Sequence, residues 1–167
     1  QIPPARAADR FLTWPIYLTP FLEMQNFQDR LQLDRPYVDQ DPEILQTAMP
    51  MMLCPSRRAG NQISLREVDG EPVGAVGDYA GNAGTSQYFP YDDWANFDVP
   101  VDGVINSGFE QFNPIVGGKL TRGAKSRYKF RDVSDGLSNT VFLGEKAVNE
   151  DYLQQPGGWG DGCIYNG

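Results

Sequence analysis

Proline and glycine interrupt this chain so often that no long element can run through it. There are 18 glycines and 13 prolines among 167 residues, and each marks a turn, a cap or a break. The expectation is a set of short elements joined by many turns, without long helices dominating. The length suits one domain with a single hydrophobic core. Hydrophobic residues make up 40 %, slightly below the globular norm. No internal repeat or linker divides residues 1–167, so they read as one globular domain, with 1–10 as an extended tail or a cut end.

Within that frame the helical signals gather early. Thr19 is placed to cap and Pro20 to start a helix. Phe21, Met24, Phe27 and Leu31 then fall on one helical arc. An amphipathic helix is expected from about Pro20 to Leu33. Asp41 followed by Pro42 is a second cap-and-start signal, with Glu43 suited to the positive helix end, and this helix must stop before Pro50. "MML" (51–53) reads as a brief buried strand before the turn "CPS". "VDGEP" (68–72) reads as a turn or hairpin. Val104-Ile105 reads as the entry to a short strand and Cys163–Tyr165 as a strand in the loop-like tail, and the residues near "RYKF" alternate. The sum is an α+β fold: an N-terminal helix packed on an antiparallel sheet, with long ordered loops.

"FRDVSDGLSNTVFLGEKAV" (130–148) carries the densest local signal. Asp132 or Ser134 can accept hydrogen bonds from main-chain N–H groups just ahead. Gly136 permits a positive φ, and Ser138 and Asn139 can cap the same turn again. Asp135 lies within it. Thr140-Val141-Phe142-Leu143 then reads as a strand buried on both faces. Glu145 is either a catalytic carboxylate or an anchor for loop N–H groups or an arginine, and the second reading is favoured. The whole stretch is expected to be scaffold.

Several chemistries are closed by composition. The chain has no histidine, so neither a Ser-His-Asp triad nor a Cys-His pair can be built, and His-ligated zinc is excluded. The net charge of −8 opposes phosphate backbones, so nucleic acid is not an expected partner. That charge otherwise serves solubility. No apolar run approaches the roughly 18 residues of a membrane span, and no signal-peptide pattern opens the chain. Cys54 and Cys163 fit one disulfide in an oxidising compartment, or two separate buried thiols. A bridge closing so long a loop would add about 4–5 kcal/mol on the chain-entropy account.

Other groupings have plainer readings beside the functional ones. Asp92, Asp93, Asp98 and Asp102 gather as weak calcium candidates, although their spacing is not that of an EF-hand, and a solvated acidic loop is the simpler reading. No other cofactor is expected. Arg57 and Arg58 beside Cys54 would favour a thiolate, but "CPSRR" lacks the arginine spacing of a phosphatase loop. "VGGKLT" lacks the first glycine of a P-loop. Tyr88, Phe89, Tyr91, Trp94 and Phe97 suit a core beneath a loop, a protein interface, or the stacking of sugars.

Five stretches, "LTPFLEMQNFQDRL", "MMLCPS", "DYAGNAGT", "DGVI" and "DVSDGLSNTVFLGEK", occur in that order. Together they resemble the large planctomycete family of secreted, pseudopilin-like proteins of unknown function, sometimes catalogued as solute-binding-like. The resemblance covers about Trp14 to Gly167. It implies a pilin-like globular domain, an extracellular or cell-surface location, and a prepilin-type leader with a long hydrophobic helix, as in type IV pilins and type II secretion pseudopilins. It also implies a closing His followed by Asp-Gly. Neither stretch is present between Gln1 and Gly167, so any membrane contact would run through a segment outside them. The resulting expectation is a non-enzymatic structural or assembly subunit that self-associates or joins envelope proteins. The alternative is a secreted binding module for a glycan or small solute.

Overall fold

The computed structural model describes residues 2–8, 10–58, 60, 62–64, 72–84, 103–105, 115–121, 126, 128–149, 151, 153 and 161–165. The fold class is α+β. Three short helices come first: α1 (Trp14–Leu18), α2 (Gln25–Gln28) and α3 (Pro42–Leu45). Strands β1 (Tyr79–Gly81) and β4 (Leu143–Glu145) form one antiparallel pair, and β2 (Ile115–Val116) and β3 (Lys119–Leu120) form another. Single 3₁₀ turns fill several of the gaps, as at Tyr37–Asp39 and Pro50–Met52.

The long helix expected from Pro20 to Leu33 is broken, and its sequence shows why. Pro20 has no N–H to donate into the preceding turn. Thr19 closes α1 instead of opening a helix: its hydroxyl donates to Ile16 O at 2.7 Å. A 3₁₀ turn, Thr19–Phe21, follows, and Glu23 then takes φ 58°, the left-handed region that side chains resist. The chain restarts as α2 with its phase changed. Phe27 and Leu31 stay buried, while Phe21 is thrown outward at 83 % exposure.

α3 follows its sequence signals. Asp41 accepts from Glu43 N at 2.9 Å, Pro42 opens the helix, and the helix ends well before Pro50. The "MML" strand does not form; Pro50–Met52 is a 3₁₀ turn that buries Met52 and exposes Met51. Residues 2–8 are no loose tail. Ile2, Ala7 and Ala8 are buried, Trp14 N donates to Ala5 O at 2.8 Å, and Arg6 bridges Thr13.

The main core joins Ile2, Trp14 and Ile16 to Tyr37, Leu45 and Tyr165. Its last component comes from the far end of the sequence. Cys163 bridges Val76, and Ile164 N donates to Ala75 O at 2.9 Å. Tyr165 packs its ring 5.6 Å from that of Phe27 and donates its hydroxyl to Thr47 O at 2.6 Å. The Thr13 hydroxyl donates to Ile164 O.

The Gly-Gly of "VGGKLT" turns the β2–β3 hairpin. Gly117 and Gly118 sit at φ 60° and 75°, the two positive values that a tight hairpin turn requires. In the other sheet β4 is exposed along its whole length. In the segment expected to be a strand buried on both faces, Phe142 packs against the core while Val141 and Leu143 are exposed, so one face meets the core and one is open. Val104-Ile105 form no strand, but Ile105 N donates to Asn82 O at 3.0 Å and its side chain is buried. No helix among the described residues is long and apolar enough to cross a membrane.

Candidate functional site

The β1–β4 pairing sets Glu145 opposite Tyr79. Its next rung is main-chain: Lys146 N donates to Asp78 O at 2.7 Å. Asp78 is therefore fixed at the end of β1, where it meets the turn that carries "CPSRR". Asp78 N donates to Met52 O at 2.8 Å, and Cys54 N donates to Asp78 Oδ2 at 2.7 Å. Past Pro55 the chain curls, with Arg57 N and Arg58 N both donating to Cys54 O at 3.0 and 3.1 Å. That curl aims both guanidinium groups at one carboxylate.

Asp78 is fully buried, and the Arg58 side chain is 3 % exposed. Arg58 Nε donates to Asp78 Oδ1 at 2.9 Å, and Arg57 Nη1 reaches the same oxygen at 3.3 Å. Arg58 Nη2 also donates to Asp161 Oδ1 at 2.7 Å, and Nη1 to Gln62 Oε1 at 3.3 Å. Burial alone would raise the Asp78 carboxyl, but the Cys54 N–H and Arg58 hold it below the ordinary carboxylate range. For Arg58, burial works against the charge, while Asp161 and Asp78 outweigh it and keep the guanidinium charged. Lys146 stands beside the group. Burial pushes its ammonium below the ordinary lysine value; Asp161 and Asp78 oppose that shift and Arg58 adds to it.

This arrangement is a clamp rather than an acid–base pair. Both Asp78 oxygens already accept, and Arg58 ties segments at 58, 78 and 161 through one guanidinium. A buried charge of this kind stands only where its donors and acceptors are matched.

Outside the clamp lies a half-open depression of about 450 Å³, lined by Cys54, Ser56, Arg57, Glu145, Val148 and Leu153. The Cys54 thiol donates to Glu145 Oε1 at 3.4 Å and lies 3.1 Å from Ser56 Oγ. The expected Cys54–Cys163 disulfide is corrected here: both are buried free thiols. Cys163 is held in the bridge to Val76, under Gly74, and its sulfur accepts from Tyr165 N at 3.4 Å. Cys54 is held at Asp78 and faces Glu145. Count and separation in sequence suggest a pair, but the two sulfurs face different neighbours: Cys54 Sγ meets Ser56 and Glu145, and Cys163 Sγ meets Tyr165 N.

The polar turn at 130–140 is closed on itself. Asp132 Oδ2 accepts from Lys129 N at 2.8 Å, and Asn139 Nδ2 donates to Asp135 O at 3.0 Å. Gly136 has φ 85°, and its carbonyl accepts from Asn139 N and from the Thr140 hydroxyl, each at 3.0 Å. Asp135 accepts a long 3.4 Å bond from Ser134, and Ser138 lies exposed in the 3₁₀ turn Leu137–Asn139. The weak calcium candidates Asp92, Asp93, Asp98 and Asp102 lie outside the described residues, as do Tyr88, Phe89, Tyr91, Trp94 and Phe97. Among the described residues no group of three or more His, Cys, Asp or Glu side chains is placed to hold a metal ion.

Sequence reasoning singled out Arg57 and Arg58 for the wrong partner and passed over Asp78, Asp161 and Lys146. The signal for Asp78 was present. It is the single charge within "GAVGDYAG", and a lone acid in so apolar a run calls for a buried cation.

An α+β fold stapled through its interior by an aspartate–arginine–aspartate clamp is what the structure and site define. More particularly, the family model described as "Protein of unknown function (DUF1559)", which bears the solute-binding-type label SBP_bac_10, matches residues 2–163. The chain belongs to that family. No curated protein matches it, and no solved structure does.

Proposed function

We propose that this chain is a non-enzymatic, pilin-like structural or assembly subunit of the cell surface or extracellular space, which self-associates or joins envelope proteins. The observation that carries the reading is a band of large apolar side chains left in solvent. Phe130, Leu137, Val141 and Leu143 are all exposed within a short stretch, and β4 pairs only with β1 among the described residues. An open strand edge flanked by apolar side chains invites another chain. The buried clamp supports the same reading, since its acids and arginines hold the fold together and engage one another. Sedimentation velocity across a wide concentration range tests it. Concentration-dependent assembly is expected, together with fibres or patches when the protein is labelled on its native cell surface. A monodisperse monomer at high concentration, with the native N-terminus present, would overturn it.

The alternative is a binding module for a glycan or small solute. It is favoured by the depression between Cys54, Arg57 and Glu145 and by the family's label. A concave site with a few convergent polar groups is what such a ligand needs. Calorimetric screening of sugars and small anions against the wild type and Arg57→Ala separates the two readings. Binding lost in the variant supports the module.

A further inference from the structure

The depression outside the clamp is lined by two opposite charges that do not pair with each other. Arg57 enters its lining from the curl around Cys54 O, with 20 % of its side chain exposed. A guanidinium has five N–H donors. One from Arg57 reaches Asp78 Oδ1 at 3.3 Å, and the others have no partner among the described residues. Nor does Asp78 belong to Arg57 alone. The same oxygen takes Arg58 Nε at 2.9 Å, and its second oxygen takes Cys54 N.

Glu145 contributes the other charge from the end of β4, where it is exposed. Its Oε1 accepts a long bond from the Cys54 thiol at 3.4 Å. Its Oε2 has no partner among the described residues, and no described cation pairs with the carboxylate. The Ser56 hydroxyl is exposed and lies 3.1 Å from the same thiol. Val148 and Leu153, both half-buried, supply the apolar part of the lining.

That combination selects among small solutes. A simple anion in this space meets Glu145, and a simple cation meets Arg57, so either sign alone is opposed. A sugar gains most from an aromatic platform, and no ring is among the described lining residues. A solute with both signs on adjacent carbons and an apolar remainder meets every group present. Paired guanidinium N–H groups suit a carboxylate, and a carboxylate accepts from an ammonium. The volume of about 450 Å³ lies toward the small end of ligand sites, about 300–1,000 Å³. We propose that the depression takes a small α-amino acid with an aliphatic side chain. Its carboxylate meets Arg57 and Ser56, its ammonium meets Glu145, and its side chain lies against Val148 and Leu153. This rests on the binding-module reading given above as the alternative and names its ligand.

The test is titration calorimetry of the whole chain with L-leucine at neutral pH, with thermal melts to verify that each variant folds. Saturable binding is expected. N-acetyl-L-leucine lacks the ammonium and L-leucinamide lacks the carboxylate, so each should bind at least about tenfold more weakly. Glycine, without the aliphatic part, should also bind more weakly than L-leucine. Glu145→Gln should weaken L-leucine by a similar factor yet leave N-acetyl-L-leucine unchanged, because that probe has no ammonium to lose. Arg57→Ala should weaken L-leucine and leave L-leucinamide unchanged, for the matching reason. Equal losses for every probe would mean that these side chains act only through the fold, and would overturn the contacts assigned to them. L-leucine binding that neither variant alters would overturn the site. If sugars or small anions bind in an Arg57-dependent way and L-leucine does not, the inference falls while the binding module stands. If none of these solutes binds, both fall.

Discussion

Asp78 is the residue on which most of this structure turns. Its side chain is wholly buried and accepts from Cys54 N, Arg57 and Arg58. Replacing it by asparagine leaves Arg58 buried with one counter-charge fewer, and removing one partner of a buried pair costs about 3–5 kcal/mol. Asp78→Asn should therefore unfold at a markedly lower urea midpoint at pH 7, with the denaturant slope unchanged. The pH dependence follows from the direction of its shift. The folded carboxyl titrates below the unfolded value of about 3.9. Its contribution is complete above that value and is lost as pH falls through the folded pKa. The wild type should thus lose stability steeply below about pH 4, and Asp78→Asn should show a flatter acid limb. Equilibrium unfolding of both proteins at a series of pH values measures this; parallel acid limbs would remove Asp78 as the cause.

Among the elements, α3 was legible because its signals are local: Asp41, Pro42 and Glu43 act within one turn. The break at Glu23 was not. The periodicity of Phe21, Met24, Phe27 and Leu31 is real, but the Thr19 hydroxyl and Pro20 act on the chain first and shift its phase. Glu23 in the left-handed region carries a steric cost of about 1–2 kcal/mol that glycine would not. Glu23→Gly should accordingly raise the thermal midpoint, by an amount matching about 1 kcal/mol once glycine's extra unfolded-state freedom is subtracted. A fall in the midpoint would mean that Glu23 makes a stabilising contact. The turn at 130–140 was readable for the same reason as α3: Gly136, Asn139 and Thr140 bond within four residues of themselves. The burial of the following strand was not readable, because one-sided and two-sided strands differ by what packs on them from elsewhere.

For the whole molecule, what escaped the sequence is long-range. Nothing local announces that Arg58 meets Asp161, that Ile2 belongs to the core, or that the thiols of Cys54 and Cys163 stay apart. Arg58 and Asp161 stand 103 residues apart, and Cys54 meets Glu145 across 91. The clearest such dependence is the seat of residues 163–165, held by Val76, Ala75, Thr47 and Thr13. A chain ending at residue 162 loses Ile164 and Tyr165 from the core, and truncating such buried side chains costs about 3–5 kcal/mol for an aromatic alone. That truncated chain should show no cooperative melt; a sharp transition near that of the intact protein would contradict the assignment. There is a consequence for a polypeptide delivered from its N-terminus first, through a ribosome exit or a translocation pore. Helices α1 to α3 emerge early, yet the keystone for them is still inside the tunnel. The interior they enclose therefore stays ajar, and the polypeptide threadable, until residues 163–165 have come through.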